Sequence, residues 1–298
     1  MLNNIKYKKY IPHFMKGMRL DNAANLLFNK FSRENIKRWI KEGNLTINGI
    51  IVKPSYNINY GQLIILSVYL KTIYEFEYKP ELIEFNIVYE DKSVIVINKS
   101  YGLIVHPACG NITGTLFNAL LYYNSNFTKL PRAGIVHRLD KNTTGLILIA
   151  KTLNAYISLV NQFKKKYIIR EYDAIIIGNI TGNGYINAPI DRNPKYRKKQ
   201  SVIYNGKIAI THYRVIENFN GYTYIKCYLE TGRTHQIRVH MNYCKLPLLG
   251  DPIYNIKLHK NFKRQALHAC RLRFIHPIYY KNISIYAPMP QDMYKLLK

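Results

Sequence analysis

Two stretches of this 298-residue chain set reactive polar side chains directly beside apolar runs. In RAGIVHRLDKNTTGLILIAK, His137, Arg138 and Asp140 occupy a turn-rich segment that Thr143, Thr144 and Gly145 close before a strand-like run. A carboxylate on a rigid loop beside a core strand is the placement a nucleophile or base needs. It equally suits an aspartate that caps a turn and pairs with Arg138. In LETGRTHQIRVHMNY, Thr231-Gly232 makes a turn and Arg233, His235, Arg238 and His240 follow, partly on a helix. Helical spacing sets Arg238 one turn beyond Thr234, so that both face a single site.

The same residues argue against other chemistries. His235 and His240 are five apart, and no acidic residue or second cysteine completes a ligand set around them, so no metal is expected. GNITGT at 110–115 lacks the Gly-Lys-Ser/Thr ending of a phosphate loop, and no G-x-G-x-x-G occurs, so no nucleotide cofactor is expected either.

The elements that must hold these stretches follow from periodicity. Strand signals run through NIVYE, SVIVIN (93–98), GLILIAK (145–151), EYDAIIIG (171–178), THYRVIE (211–217) and YTYIKCYLE (222–230). Helical signals are fewer: TLFNALLYY after Thr115, LNAYISLVNQFKKK after Thr152, and 235–244. Too few helices separate the strands for regular βαβ winding, so an α+β domain with a mixed, largely antiparallel sheet is expected over 85–298. Before it, 77–84 reads as a linker, 15–76 as a small module and 1–14 as a basic tail.

In the module, Leu20, Ala23, Ala24, Leu27 and Phe31 share one helical face. Ser32 suits the N-cap of a second helix that buries Ile36, Trp39 and Ile40 and aligns Arg33, Lys37 and Lys41 as a cationic stripe. LTINGIIV reads as two short strands about Asn48-Gly49. Such a stripe fits an RNA backbone, and equally an ordinary solvated face.

Lys and Arg number 44 against 17 Asp and Glu, a formal charge of +27 that favours a polyanionic partner. Compositional drift toward Lys, Asn, Ile and Tyr accounts for part of it. The segment RNPKYRKK adds Lys195, Arg197 and Lys198 as candidate phosphate contacts. Four scattered cysteines, no signal-peptide pattern and no apolar run of membrane length lead to the expectation of a reduced, cytoplasmic protein.

The stretches HRLDKNTTGLILIAKT and ETGRTHQIRVHM, in this order, strongly resemble the RluA-type pseudouridine synthases, and the likeness extends through IVYEDKSVIVINKS, GLIVHP, REYDAIIIG, LLGDPIY, QALHACRLRF and APMPQDM. The N-terminal module resembles the alpha-L RNA-binding domain that many such enzymes carry. The resemblance implies a pseudouridine synthase fold and a cofactor-free isomerisation of specific uridines in large-subunit (23S) ribosomal RNA. It implies Asp140 as the catalytic aspartate, Arg138 beside the gap left by the flipped nucleotide, Tyr172 stacked on the target base, and Arg238 paired with the aspartate. Ribosomal RNA is then the expected partner of a monomeric enzyme. Relatives acting on transfer RNA or another ribosomal site, a non-catalytic RNA-binding assembly factor and a metal-dependent phosphate-ester hydrolase are the alternatives. Ser100, where the family commonly has proline after Asn-Lys, and a short 255–263 segment depart from the pattern.

Overall fold

The computed structural model describes every residue except Met1, Lys30, Ser32, 72–77, Cys109 and 256–261. The N-cap expected at Ser32, the module's end at 76, one of the four cysteines and most of the short 255–263 segment therefore lie outside the described residues. The chain divides into two compact units, one of residues 1–79 with 125–133 and one of 80–124 with 134–298.

In the first unit, β1 (Leu2–Tyr10), α1 (Leu20–Leu27), α2 (Arg33–Lys41), β2 (Leu45–Ile47) and β3 (Leu63–Lys71) follow one another, with strand order β1-β3-β2. The basic start is thus a strand rather than a tail: β3 is flanked by β2 on one side and takes β1 on the other. Tyr7 turns toward Phe28 and Phe31 while Lys6 and Lys8 stay exposed, a period of two. The helices form where expected, with Leu20, Ala23, Ala24, Ile36, Trp39 and Ile40 buried. The Asn48-Gly49 turn is present, both residues at positive φ, but beyond the single Ile47–Ile50 bridge Ile51 and Val52 form no strand, and β2 pairs with β3.

The second unit is built on a nine-stranded sheet among the described residues. Its strands are β4 (Asn86–Glu90), β5 (Val94–Lys99), β6 (Thr144–Ala150), β7 (Ile169–Ile177), β8 (Gly184–Asn187), β11 (Ile210–Phe219), β12 (Tyr222–Leu229), β13 (Leu267–Ile275) and β14 (Asn282–Tyr286). A separate two-stranded ribbon joins β9 (Ile190–Arg192) to β10 (Gln200–Val202). The large sheet runs β4-β5-β6-β13-β7-β12-β11-β8, with β14 added on β13; β6 and β13 are parallel and the other pairs antiparallel. The mixed, largely antiparallel sheet expected from the sequence is what forms.

β5 and β6 read as unbroken apolar runs because they are central and covered on both faces. α3 (Leu116–Tyr123) starts at Thr115, whose side chain accepts from the Asn118 amide, and α4 (Leu153–Lys164) starts at Thr152, which accepts from Ala155. α4 lays Ala155 and Leu159 on a core with Val94, Val96, Leu148 and Phe274.

The parallel junction is where β6 leaves the Asp140 loop. Gly145, at φ 112°, brings its backbone so close to β13 that a Cβ there would sit 2.5 Å from the Ala269 nitrogen and closer still to its oxygen. We expect Gly145→Ala to destabilise the protein by about 3 kcal/mol, from overpacking plus backbone strain. Gly182→Ala, where an added Cβ meets nothing within 4 Å, should change little. Urea melts of the two variants check this.

Candidate active site

Asp140 sits in the loop between Leu139 and β6, and five attachments fix that loop. The Thr143 amide donates to the Asp140 carbonyl, closing a turn. The Nζ of Lys99, a residue only 1% exposed, lies 2.8–2.9 Å from the carbonyl oxygens of Ser100, Leu103 and Lys141. Gln265 donates to Thr143, and Thr144 shares a hydrogen bond with His268 on β13. His137, three residues before Asp140, accepts the Leu148 amide through Nε2 and so anchors the loop's other limb to β6. Burial and then Arg170 push the His137 pKa down to about 3, so it is neutral and structural.

Arg238 projects from α5 (Gln236–Tyr243). The turn before the helix is gathered by the Gln236 side chain, which accepts from Thr231 and the Arg233 amide and donates to Ile210 and Thr211 on β11. Thr234 therefore precedes the helix, and His235 enters it in a left-handed conformation, φ 56°. His240 faces away, hydrogen-bonded to Thr211 and Ala188. Among the described residues no cluster of three His, Cys, Asp or Glu is arranged to hold a metal.

The Arg238 guanidinium is shared between two carboxylates. Its Nε and Nη2 donate to Asp251 at 2.7 and 2.9 Å, and Nη1 donates to Asp140 Oδ2 at 2.9 Å. Asp251 is fully buried and also accepts the amides of Ile253 and Tyr254. Against burial, Asp251 and then Asp140 hold the arginine's pKa above its ordinary value. The Tyr254 ring lies under the guanidinium at 5.1 Å, and its hydroxyl meets His235 Nδ1 at 2.9 Å. His235 Nε2 lies 3.8 Å from Asp140 Oδ2.

A cavity of about 560 Å³ opens over this group. Asp140, Arg138, Tyr172 and Arg238 all line it, so the four residues singled out in the sequence meet in one place. Tyr172, from β7, is 5% exposed, and burial raises its pKa. Arg138 is exposed at the rim. Arg170 also lines the cavity, its guanidinium over Phe163 and its Nε without a hydrogen-bond partner among the described residues.

The remaining basic candidates lie elsewhere. Lys195, Arg197 and Lys198 are exposed on the turn between β9 and β10. Lys37 and Lys41 are exposed on α2, whereas Arg33 is held at 3.1 Å by the buried Asp21, which Arg19 also grips. One of the three stripe cations is thus tied to the packing of α1 on α2.

Sequence reasoning passed over Lys99, Asp251, Tyr254 and Gln236, and weighed His235 only as a metal ligand. The available signal was the fragment LLGDPIY, an acid and a tyrosine in a loop too short for periodicity to interpret.

A family model described as RNA pseudouridylate synthase matches residues 93–243, and one described as S4 domain matches 18–64. The Pseudomonas aeruginosa protein named ribosomal large subunit pseudouridine synthase D is 43% identical over 310 residues, covering 100% of this chain and 96% of that one. Its namesake from Escherichia coli strain K12 is 43% identical over 312 residues, covering 100% and 95%. The solved structure of human RNA pseudouridylate synthase domain containing 1 superposes with a TM-score of 0.56 at 25% identity, over 70% of this chain and 84% of that one. Human RNA pseudouridylate synthase domain containing 4 gives 0.56 at 24%, over 71% and 91%.

Lys99 supplies a pH test of how the Asp140 loop is held. Burial pushes its pKa from 10.5 down to about 7, Asp140 opposing and Arg264 adding. Between those values the unfolded chain binds the extra proton, so stability is fully present above about 10.5 and is lost as the pH falls through about 7. The stability of the wild type relative to Lys99→Met should therefore rise between about pH 7 and pH 10. Urea melts across that range measure it, and a flat difference would mean that the ammonium keeps its charge throughout.

Proposed function

The chain belongs to the RNA pseudouridylate synthase family, and on that premise we propose that it converts specific uridines of large-subunit ribosomal RNA to pseudouridine, using the Asp140 carboxylate and no cofactor. The observation that carries the catalytic reading is the shared guanidinium: Arg238 holds Asp140 from below, inside a cavity also lined by Tyr172. The reading of the substrate is supported by relatives that match the chain along its length and are named for the ribosomal large subunit.

The reaction breaks the N1–C1′ bond, turns the uracil and joins C5 to C1′; a proton leaves C5 and one is gained at N1. Nothing is oxidised, reduced or hydrolysed, so protein groups suffice. A carboxylate is ionised at neutral pH without a separate base. Left alone in a part-buried site it would carry a desolvation cost, which the Arg238 contact offsets. Reaching the glycosidic bond requires extruding the nucleotide, at a cost of a few kcal/mol. Stacking on Tyr172 returns roughly 1–3 kcal/mol of that, and Arg138, at the rim, enters the gap the base leaves.

Phosphate contacts come from the exposed cations. Lys37 and Lys41 on the module, and Lys195, Arg197 and Lys198 on the β9–β10 turn, lie along the RNA backbone and fix register rather than sequence. Arg33 contributes less because Asp21 already holds it. We take it to act as a monomer in the cytoplasm, where a ribosomal RNA substrate would be met. Among the described residues no helix is long and apolar enough to cross a membrane.

Tritium release from C5-labelled uridine in large-subunit ribosomal RNA tests the chemistry. Wild type should release tritium with chelator present, and Asp140→Asn should release none while binding RNA nearly as well, because phosphate contacts dominate affinity. Release by Asp140→Asn would remove the carboxylate from the mechanism. Release from transfer RNA alone would keep the chemistry and change the substrate.

Replacing Lys37 and Lys41 together by Ala should weaken RNA binding and lower the slope of log affinity against log salt by roughly 1.5. Filter binding at several salt concentrations measures this. An unchanged slope would make the stripe an ordinary solvated face.

A further inference from the structure

We propose that His235 is a further catalytic residue, a neutral hydrogen-bond donor oriented by Tyr254 and aimed at a carbonyl oxygen of the flipped uracil. The inference rests on the reading that Asp140 and this cavity carry out the isomerisation.

A chain of hydrogen bonds sets the tautomer. The Gln200 amide donates to the Tyr254 hydroxyl oxygen at 2.8 Å, so the hydroxyl's own proton goes to its other neighbour, His235 Nδ1, at 2.9 Å. The ring proton of a neutral His235 is then on Nε2, the nitrogen that looks toward Asp140 at 3.8 Å. The opposite tautomer would turn a lone pair on the carboxylate. Burial lowers the ring's pKa, Asp140 opposing and Arg238 adding, and burial pushes Tyr254 up to about 12, so both groups stay neutral at working pH. Neither titrates in the reaction.

The backbone supports a functional reading. His235 stands at φ 56° and ψ 22°, a left-handed conformation that a side chain enters at a cost and that occurs where the surroundings enforce it. The Gln236 latch and α5 enforce it here. The consequence is a side chain lining the cavity, 15% exposed, instead of one buried in the helix packing.

The partner follows from where charge develops. Breaking N1–C1′ leaves the electron pair on the uracil, shared among N1 and the two carbonyl oxygens, and a preoriented N–H there stabilises the transition state more than the ground state. Arg238 is committed to two carboxylates, and Lys166 to Glu230. Among the described residues His235 Nε2 has no partner nearer than the 3.8 Å carboxylate. It keeps its proton throughout; only the hydrogen bond strengthens.

The test uses single-turnover rates on RNA carrying uridine, 2-thiouridine, 4-thiouridine or 2′-deoxyuridine at the modified position. The enzymes are wild type, His235→Asn, His235→Gln and Tyr254→Phe. Asn tolerates the left-handed backbone but is too short to reach; Gln places an amide near the Nε2 position. We expect Asn to slow the step roughly 100-fold with RNA affinity unchanged, Gln to recover most of that, and Tyr254→Phe to cost roughly tenfold. Sulfur accepts hydrogen bonds poorly, so one thio substitution should slow the wild type and add nothing to Asn.

A fully active Asn variant would overturn the proposal. So would thio penalties undiminished in that variant, or the same non-additivity appearing with the 2′-deoxy substrate instead, which would assign the bond to ribose. Should Asn fail to fold, a wild type indifferent to both thio substitutions overturns it equally. Wild type that forms no pseudouridine in any RNA would sink the underlying reading, whereas active wild type with a dispensable His235 sinks only this inference.

Discussion

One guanidinium organises the catalytic unit. Arg238 lies between the fully buried Asp251 and the part-exposed Asp140, and its position is what gives each carboxylate a counter-charge. A buried ion pair is weak evidence for stability, since well-packed apolar residues often do as well. Its value here is geometric. Asp251 takes the two nitrogens that orient the arginine, and the third then points to Asp140 as a consequence of planarity. Asp251 is in turn fixed by two amides of its own loop, so the chain of dependence ends in backbone.

How much of this was legible depends on where each residue sits. Asp140 and Arg238 stood out because dense polar stretches abut strand and helix patterns, and the resemblance to a family turned two separate candidates into a pair. Their distance is a tertiary fact; nothing in a separation of 98 positions announces a 2.9 Å contact. Asp251 and Tyr254 were passed over because their loop has no period to read. Lys99 ends an apolar strand, where a lysine normally points into water. Only the folded loop supplies the carbonyls that receive it.

The strands divide similarly. β5 and β6 carry apolar runs and β7 ends in one, Ala174–Ile177, so all three were recovered, whereas β13 mixes His, Cys and Arg with Leu and Phe because it meets polar partners such as Glu171 and Thr144. A pattern that serves two environments looks like neither. The basic start was misread for the complementary reason: lysines at alternate positions fit a solvated tail as well as a strand, and only the neighbouring β3 decides between them. The turn at Asn48-Gly49 shows the limit of local signals, since it formed while the second strand of its hairpin did not.

The close approach of Gly145 to Ala269 also has a temporal meaning. It joins β6 to a strand made much later, the neighbouring hydrogen bond linking positions 124 apart. Contacts of such sequence separation form late and cannot form at all on a partly synthesised chain. The loop bearing Asp140 therefore acquires its final support only after β13 has left the ribosome's exit tunnel. A nascent chain still short of that point carries Asp140 without the scaffold that aims it.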